Sequence, residues 1–277
     1  MKRWPTATLV LIAVLAAFAL AALFAPWIAP HDPLRQSLLL RLRPPGSVSP
    51  RLGSFLLGTD DLGRDLLSRI LFGARASFAV ALLSVAVSLA VGVTLGLAAG
   101  WFRGWTALVI MRMVDTALSI PAILLAVLTV AVLGPGFLNL VLVLGLTRWP
   151  RYTRVVYAST LQVASMPYIQ ASEMAGASVV RMMRRHVLPN IAGPIMVVAT
   201  SEFGLMILSE AGLSFLGLGI QPPTPSWGSI LSAGRQYVER AWWLTVFPGL
   251  GLFAVVVCVN LIGDALRDQL DPRSTGR

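Results

Sequence analysis

The sequence holds one lysine, one cysteine and two histidines among its 277 residues. The cysteine, Cys258, lies in an apolar run, and a lone cysteine excludes an intrachain disulfide. His31 and His186 have no Cys or Glu at metal-ligand spacing, so we predict no metal site. A phosphate-binding loop requires a lysine directly after its second glycine. The only lysine is Lys2, so the sequence contains no such loop. We therefore expect no metal, nucleotide or other cofactor on this chain.

Charged residues are also few. They make up 12% of the chain, against 56% hydrophobic residues and a mean hydropathy of +0.78, whereas soluble domains carry about 25% charged residues. Apolar runs of about 20 residues or more recur, which is the length that crosses a bilayer. The composition predicts an all-α polytopic membrane protein. The net charge of +10 does not indicate nucleic-acid binding, because the arginines fall between the apolar runs without interleaved aromatic residues.

Six apolar runs follow one another along the chain. They cover roughly residues 4–30, 76–100, 108–133, 137–161, 191–219 and 244–262. We predict six transmembrane helices in one membrane domain, 1–277, with a kink at Pro121. A signal peptide is the alternative for the first run, but its apolar part is long and no small-residue cleavage site follows.

The connection over 31–75 is polar and rich in proline and arginine. Its end, LGTDDLGRDLLSRILFGAR over 57–75, has leucines on one side of a helix and charged pairs four residues apart. We predict an extracytoplasmic loop over 31–75 that contains this amphipathic helix. On physical grounds alone, a helix lying at the membrane surface explains the pattern.

Small residues recur in the second apolar run. Gly92, Gly96 and Gly100 are spaced by four residues, which places them on one stripe of a helix. Such a stripe lets another helix approach closely within a bilayer, where lipid gives little drive for association. We predict that these glycines pack against a second helix.

Acidic residues inside the spans are candidates for a transport pathway. Glu202 and Glu210 fall in the fifth run and Asp115 in the third. A carboxylate in the membrane is costly and normally faces a partner or a water-filled path. A hydrogen-bonded glutamate buried between helices is the alternative. An acid/base pair of an intramembrane enzyme is disfavoured, because eight residues of helix separate the two glutamates by roughly 12 Å.

The polar stretch over 162–190 separates the fourth and fifth runs. Ser165 and Pro167 are helix start signals, Gly176 permits a bend, and Pro189 predicts a helix end. We predict two short helices with an apolar face formed by Ile169, Met174, Val179, Met182, Met183 and Val187. Three arginines belong to the second helix: Arg181, Arg184 and Arg185. An ordinary amphipathic helix on the membrane is the alternative.

This stretch resembles the EAA loop of ABC-importer permeases. The matching residues are YIQAS at 168–172, GAS at 176–178 and RHVLPN at 185–190. The chain departs from the pattern at Gln170, where glutamate is usual, and at Ser172, where alanine is usual. Four further segments resemble the C-type permeases of dipeptide, oligopeptide and nickel systems: LGTDDLGRDLLSR, LGPGFLNLVLVLGLTRWPRYTRVV, EAGLSFLGLGIQPPTPSWG and GDALRDQLDP.

The resemblance implies the type I ABC importer permease (MetI-like) fold, with core helices over 76–266 and a cytoplasmic coupling loop over 162–190. The coupling residues would be Tyr168, Ile169, Gln170, Ala171, Ser172, Gly176, Ala177, Ser178, Arg181, Arg185, Leu188 and Pro189. It further implies a second homologous permease in a heterodimer, two P-loop ATPase subunits that bind ATP and Mg, and an extracytoplasmic substrate-binding protein. The chain itself would be no enzyme.

The expected function is import of di- or oligopeptides across the bacterial cytoplasmic (inner) membrane by alternating access. Nickel import is the alternative within the same family, and a free-standing channel or secondary carrier is more remote, since no inverted repeat is visible. With both termini in the cytoplasm, thirteen of the 22 lysines and arginines lie inside, in agreement with the positive-inside rule.

Overall fold

The computed structural model describes residues 5–270, and most of their regular structure is helical. The helices of the described chain are α1 (Thr6–Leu23), α2 (Ala25–Ile28), α3 (Leu66–Phe102), α4 (Gly104–Ser119), α5 (Ala122–Leu133), α6 (Phe137–Ala164), α7 (Pro167–Met174), α8 (Val179–Met182), α9 (Leu188–Phe215), α10 (Trp227–Gly234) and α11 (Trp243–Leu270). A short antiparallel pair, β1 (Ser47–Ser49) and β2 (Gly53–Phe55), lies between α2 and α3. Four of the thirteen lysines and arginines assigned to the cytoplasm lie outside the described range, namely Lys2, Arg3, Arg273 and Arg277, as do the motif residues Asp271 and Pro272.

The spans number four or five by length and apolarity within 5–270. Four helical stretches qualify: α1, α3, α11 and the continuous stretch that contains α9. The pair α4 and α5 adds a fifth, bent by 88°. The kink expected at Pro121 is thus a complete break, since proline lacks an amide hydrogen and Ile120 before it is extended. The helix α6 is long enough, with 28 residues, but it is not among these spans, because its three arginines make it less apolar than they are.

The helices α3 and α6 pack closely along the glycine stripe. A Cβ added at Gly96 would lie 2.6 Å from Cβ of Val156, and one added at Gly100 would lie 2.6 Å from Cβ of Thr160. Gly92 faces Tyr152 in the same way. Because real Cβ atoms do not approach so closely, these positions admit only glycine at this helix separation.

Serine hydroxyls add hydrogen bonds across the same pair of helices. Ser84 donates to the carbonyl of Val141 at 3.2 Å, and Ser88 donates to the carbonyl of Gly145 at 2.7 Å. Both serines are buried. Bonds of this kind satisfy hydroxyls that would otherwise be unpaired in an apolar interior.

The predicted amphipathic helix over 57–75 is wrong in its first half. The helix α3 begins at Leu66, is capped by Asp65, and runs unbroken to Phe102, so Leu62 lies outside it. Asp60 accepts hydrogen bonds from the amides of Leu62 and Arg64, both at 2.9 Å. Hydrogen bonds from backbone amides to a nearby side chain compete with the hydrogen bonds of a helix. They explain why the residues before Asp65 form a loop.

Ion pairs and ring contacts hold the 31–65 segment over the first turn of α3. Asp60 Oδ2 lies 2.7 Å from Nε of Arg64 and 3.2 Å from Nε of Arg69. The His31 ring stacks on Phe55 at 4.8 Å between centroids. These contacts make a compact cap on one end of the bundle.

The core lies where α3, α9 and α11 meet, and α6 closes one side while α1 lies against α3 and α11. Trp227 at the start of α10 is completely buried. Its indole N–H donates to the carbonyl of Ile70 at 3.0 Å. The helix α10 is therefore inserted into the bundle at the end that carries the 31–65 cap.

Candidate functional site

The segment between α6 and α9 forms two short helices, as the sequence predicts. Helix α7 has Pro167 in its first turn, but its N-cap is Met166 and not Ser165. Ser165 instead ends α6 and donates to the carbonyl of Gln162. Only two residues, Ser165 and Met166, therefore separate α6 from α7.

Gly176 ends α7 in a left-handed conformation, with φ of +79°. Its amide donates to the carbonyl of Glu173 at 2.9 Å, and the amide of Ala177 donates to the carbonyl of Ser172 at 3.1 Å. This pair of bonds is the Schellman motif, in which glycine is favoured because the conformation crowds a Cβ. The bend expected at Gly176 is thus the end of α7, and α8 begins three residues later at Val179.

The prediction that Pro189 ends the second helix is wrong. The backbone stays helical from Val179 to Phe215 over 37 residues. A π turn over Met183–Val187 precedes the proline, and the amide of Leu188 donates to the carbonyl of Met183. Pro189 is the second residue of α9 and follows directly after this π turn. The second short helix and the fifth span are therefore one continuous element.

One face of the segment is buried and the other is exposed. Ile169, Met182 and Val187 are buried, and Ile169 and Val187 pack with Val156 and other residues of α6 and α9. Met174, assigned above to the apolar face, is instead 91% exposed. Most of the predicted coupling residues lie on the exposed side: Tyr168, Gln170, Ala171, Gly176, Ser178, Arg181, Arg185, Leu188 and Pro189. Ser172 and Ala177 are half-buried.

Glu202 lies in a charged cluster between α6 and α9. Its carboxylate is 3.0 Å from Nη1 of Arg151 and 3.6 Å from Nη1 of Arg148. Arg148 also donates to the hydroxyl of Ser209 at 3.3 Å. An acid within the membrane requires a partner, but the partner of Glu202 is not visible in the sequence, because Arg148 and Arg151 are more than 50 positions away.

Glu210 occupies the packed interior of the chain. The hydroxyl of Ser77 on α3 donates to its Oε2 at 2.6 Å, and the hydroxyl of Ser214 donates to its Oε1 at 2.7 Å. None of the residue is exposed. This environment favours the alternative of a buried, hydrogen-bonded glutamate.

Asp115 is exposed near the end of α4. Its carboxylate lies 2.6 Å from Nη2 of Arg154 on α6, and both side chains are more than half exposed. The ion pair joins the two helices at the surface. The three acidic candidates therefore lie in three separate environments and form no common site.

Solved structures with this arrangement of helices are ABC transporters. The methionine transporter MetNI in an inward-facing form matches with a TM-score of 0.56 and 19% identity, over 74% of this chain and 98% of that chain. An amino acid ABC transporter crystallised with histidines matches with a TM-score of 0.55 and 14% identity, over 73% and 94%. At these identities the likeness shows the fold, which is that of type I ABC importer permeases.

The family follows from sequence. Residues 92–276 match the family model described as binding-protein-dependent transport system inner membrane component, and residues 6–45 match the N-terminal TM domain of oligopeptide transport permease C. The chain belongs to this family of inner-membrane permeases, which confirms the resemblance. It is a multi-pass transport subunit and not an enzyme.

Two curated relatives illustrate the similarity. The di/tripeptide transport system permease protein DppC of Pseudomonas aeruginosa (strain UCBPP-PA14) is 47% identical over 252 residues, 91% of this chain and 83% of the relative. The dipeptide transport system permease protein DppC of Escherichia coli (strain K12) is 48% identical over 252 residues, 91% of this chain and 84% of the relative.

Proposed function

We propose that this chain is the permease subunit of an ATP-driven, binding-protein-dependent importer of di- and oligopeptides. The observation that carries the proposal is the 47% and 48% identity, over 91% of the chain, to permeases named for di/tripeptide and dipeptide transport. Both names specify peptides, which favours peptides over the nickel alternative.

We infer six spans with both termini in the cytoplasm. The broken pair α4 and α5 counts as one span, and α6, at 28 residues, is about 42 Å long, enough to cross a bilayer. All three of its arginines are paired with acids, Arg148 and Arg151 with Glu202 and Arg154 with Asp115, which lowers the cost of placing them in or near the membrane. The chain then forms one membrane domain, with 31–75 outside, core helices over 76–266 and the loop over 162–190 in the cytoplasm.

The exposed face of α7 and α8 is the proposed docking surface for an ATPase subunit. It carries Tyr168 and Gln170 on α7 and Arg181 on α8, and it continues to Arg185 in the π turn that follows α8, so it offers both an aromatic ring and positive charge. A second, homologous permease would complete a heterodimer, two ATPase subunits would bind ATP and Mg, and an extracytoplasmic protein would deliver the peptide.

Alternating access then needs no covalent chemistry from this chain. Closure of the ATPase pair would displace α7 and α8, and α9 would move with α8 because the helix between them is unbroken. The free energy comes from the different affinities of the two arrangements for ATP.

The test is uptake of a radiolabelled dipeptide by vesicles that contain this chain, with and without its partner permease and ATPases. We expect uptake only with the complete set, binding protein and ATP. Uptake by this chain alone would contradict the importer and indicate a channel or secondary carrier. Uptake of Ni²⁺ but not of dipeptide by the complete set would favour the nickel alternative.

A further inference from the structure

A cavity of about 220 Å³ lies between α5, α6 and α9. Its wall is apolar except for Thr147, Arg148 and Ser209. Gly212 lines it too, and a Cβ added there would meet no atom within 4 Å. Pockets for whole small-molecule ligands measure about 300–1,000 Å³. This cavity therefore fits one end of a short peptide and not the whole molecule.

Arg148 lines the cavity, and the N–H donors of its guanidinium make only long contacts with other residues. Its nearest acceptors are Ser209 Oγ at 3.3 Å and Glu202 Oε2 at 3.6 Å. Both distances exceed the roughly 2.7–2.9 Å of a charge-assisted hydrogen bond. Glu202 makes its closer bond, at 3.0 Å, with Arg151. The carboxylate is therefore engaged chiefly by Arg151, and the guanidinium of Arg148 remains able to bind another acceptor.

The charge of the cluster favours an anion. Arg148 and Arg151 carry two positive charges and Glu202 carries one negative charge. The side chain of Arg148 is only 14% exposed, so little water compensates the excess charge. A planar guanidinium matches a carboxylate through two parallel hydrogen bonds, and the apolar wall suits the side chain next to that carboxylate.

We propose, on the basis of the peptide import inferred above, that the Arg148 cavity binds the C-terminal carboxylate of a short peptide during transport. Arg148 is then a specificity-determining residue that contacts the substrate. Arg151 is a positioning residue, because it holds Glu202 and thereby leaves the Arg148 donors free. The terminal side chain of the peptide packs against the apolar wall formed by residues such as Leu144 and Leu205.

The first test reads the charge of the cavity without any peptide. A reporter thiol is placed by Gly212→Cys in a Cys258→Ala chain, assembled in the complete importer. The reagents are an anionic methanethiosulfonate, the sulfonatoethyl form, and a cationic one, the trimethylammonioethyl form. We expect faster reaction with the anionic reagent, and loss of this preference in Arg148→Gln. A Ser201→Cys reporter, on an exposed part of the same helix, should not respond to Arg148→Gln. Preference for the cationic reagent at Gly212→Cys would overturn the proposal.

The second test measures protection of the same thiol by alanylalanine, its C-terminal amide and its N-acetyl form during ATP turnover. We expect protection by the two peptides with a free carboxylate and none by the amide. Arg148→Lys keeps the charge but loses the planar fork, so about tenfold more dipeptide should be needed for equal protection. Equal protection by the amide, or no effect of Arg148→Lys, would overturn the proposal.

Uptake measured in the same vesicles separates this proposal from the proposed function. If the importer takes up dipeptide and no peptide protects the thiol, only the cavity assignment fails. If no dipeptide is taken up at all, the proposed function fails as well.

Discussion

Asn190, in the first turn of α9, donates a hydrogen bond to the hydroxyl of Tyr168 on α7 at 3.1 Å. The same amide donates to the carbonyl of His186 at 2.7 Å. The ring of Tyr168 meets the His186 ring edge to face, with 6.0 Å between centroids. These side-chain contacts connect α7 to the start of α9, and the continuous backbone connects α8 to it.

Tyr168→Phe removes the hydroxyl and keeps the ring. A hydrogen bond of this kind contributes a net ~0.5–1.5 kcal/mol, so we expect the peptide taken up per ATP hydrolysed to fall by a factor of about 2–10. The measurement is uptake and ATP hydrolysis in the same vesicles. The matched control is Tyr157→Phe on α6, which should leave the ratio unchanged. Equal ratios in both variants would show that the Tyr168 hydroxyl does not couple the helices.

A substitution series at Gly176 separates backbone strain from crowding. No atom lies within 4 Å of a Cβ added there, so only its φ of +79° opposes a side chain. The left-handed conformation costs most residues about 1–2 kcal/mol and asparagine less. Proline cannot adopt it at all. We expect uptake to fall in the order Gly, Asn, Ala, Pro, with membrane insertion unchanged. Uptake by Gly176→Pro at the native rate would contradict a coupling role for the bend.

Gly96→Ala tests the contact between α3 and α6. The new methyl group would lie 2.6 Å from Cβ of Val156 and 2.8 Å from the carbonyl of Thr153, so the helices must move apart. Overpacking of this kind costs about 1–3 kcal/mol. We expect a lower midpoint of thermal unfolding in detergent. Gly212→Ala, which meets open space, is the control and should unfold at the native temperature or above. A native midpoint for Gly96→Ala would show that the two helices are not closely packed there.

Glu202→Gln distinguishes a structural carboxylate from one on the pathway. The variant leaves Arg148 and Arg151 without their anion, and hydrogen bonds to charged groups contribute about 1.5–3 kcal/mol. We expect lower thermal stability, whereas Glu239→Gln at an exposed position should have no effect. Native stability combined with impaired uptake would instead assign Glu202 to the pathway.

Local signals in the sequence predict α7, the bend and the second helix. Pro167 fixes its own backbone angle at the start of a helix, and Gly176 readily adopts the left-handed conformation that ends one. The helix stop assigned to Pro189 fails for a different reason. A proline ends a helix only when the preceding turn cannot adapt, and here the π turn over Met183–Val187 adapts. The helix expected over 57–75 fails because its leucine spacing is overridden by Asp60, whose side chain captures two amides.

Long-range pairing is what the sequence does not reveal. The need of Glu202 for a partner is visible from hydropathy, but the choice of Arg151 depends on how α6 crosses α9. Glycine spacing of four indicates a close helix contact for Gly92, Gly96 and Gly100, yet it does not say which helix supplies Tyr152 and Val156. These answers require the packed bundle.

The unbroken helix from Val179 to Phe215 has 37 residues and is roughly 55 Å long. Where a helix of that length moves as one body, it magnifies rotation, because a tilt of about 10° at one end carries the other end roughly 10 Å sideways. Had Pro189 cut the helix in two, the same tilt would have been absorbed at the joint. On the topology proposed above, a small angular step at the cytoplasmic end would therefore be sufficient to open or close a gap the width of a peptide at the opposite end of the helix.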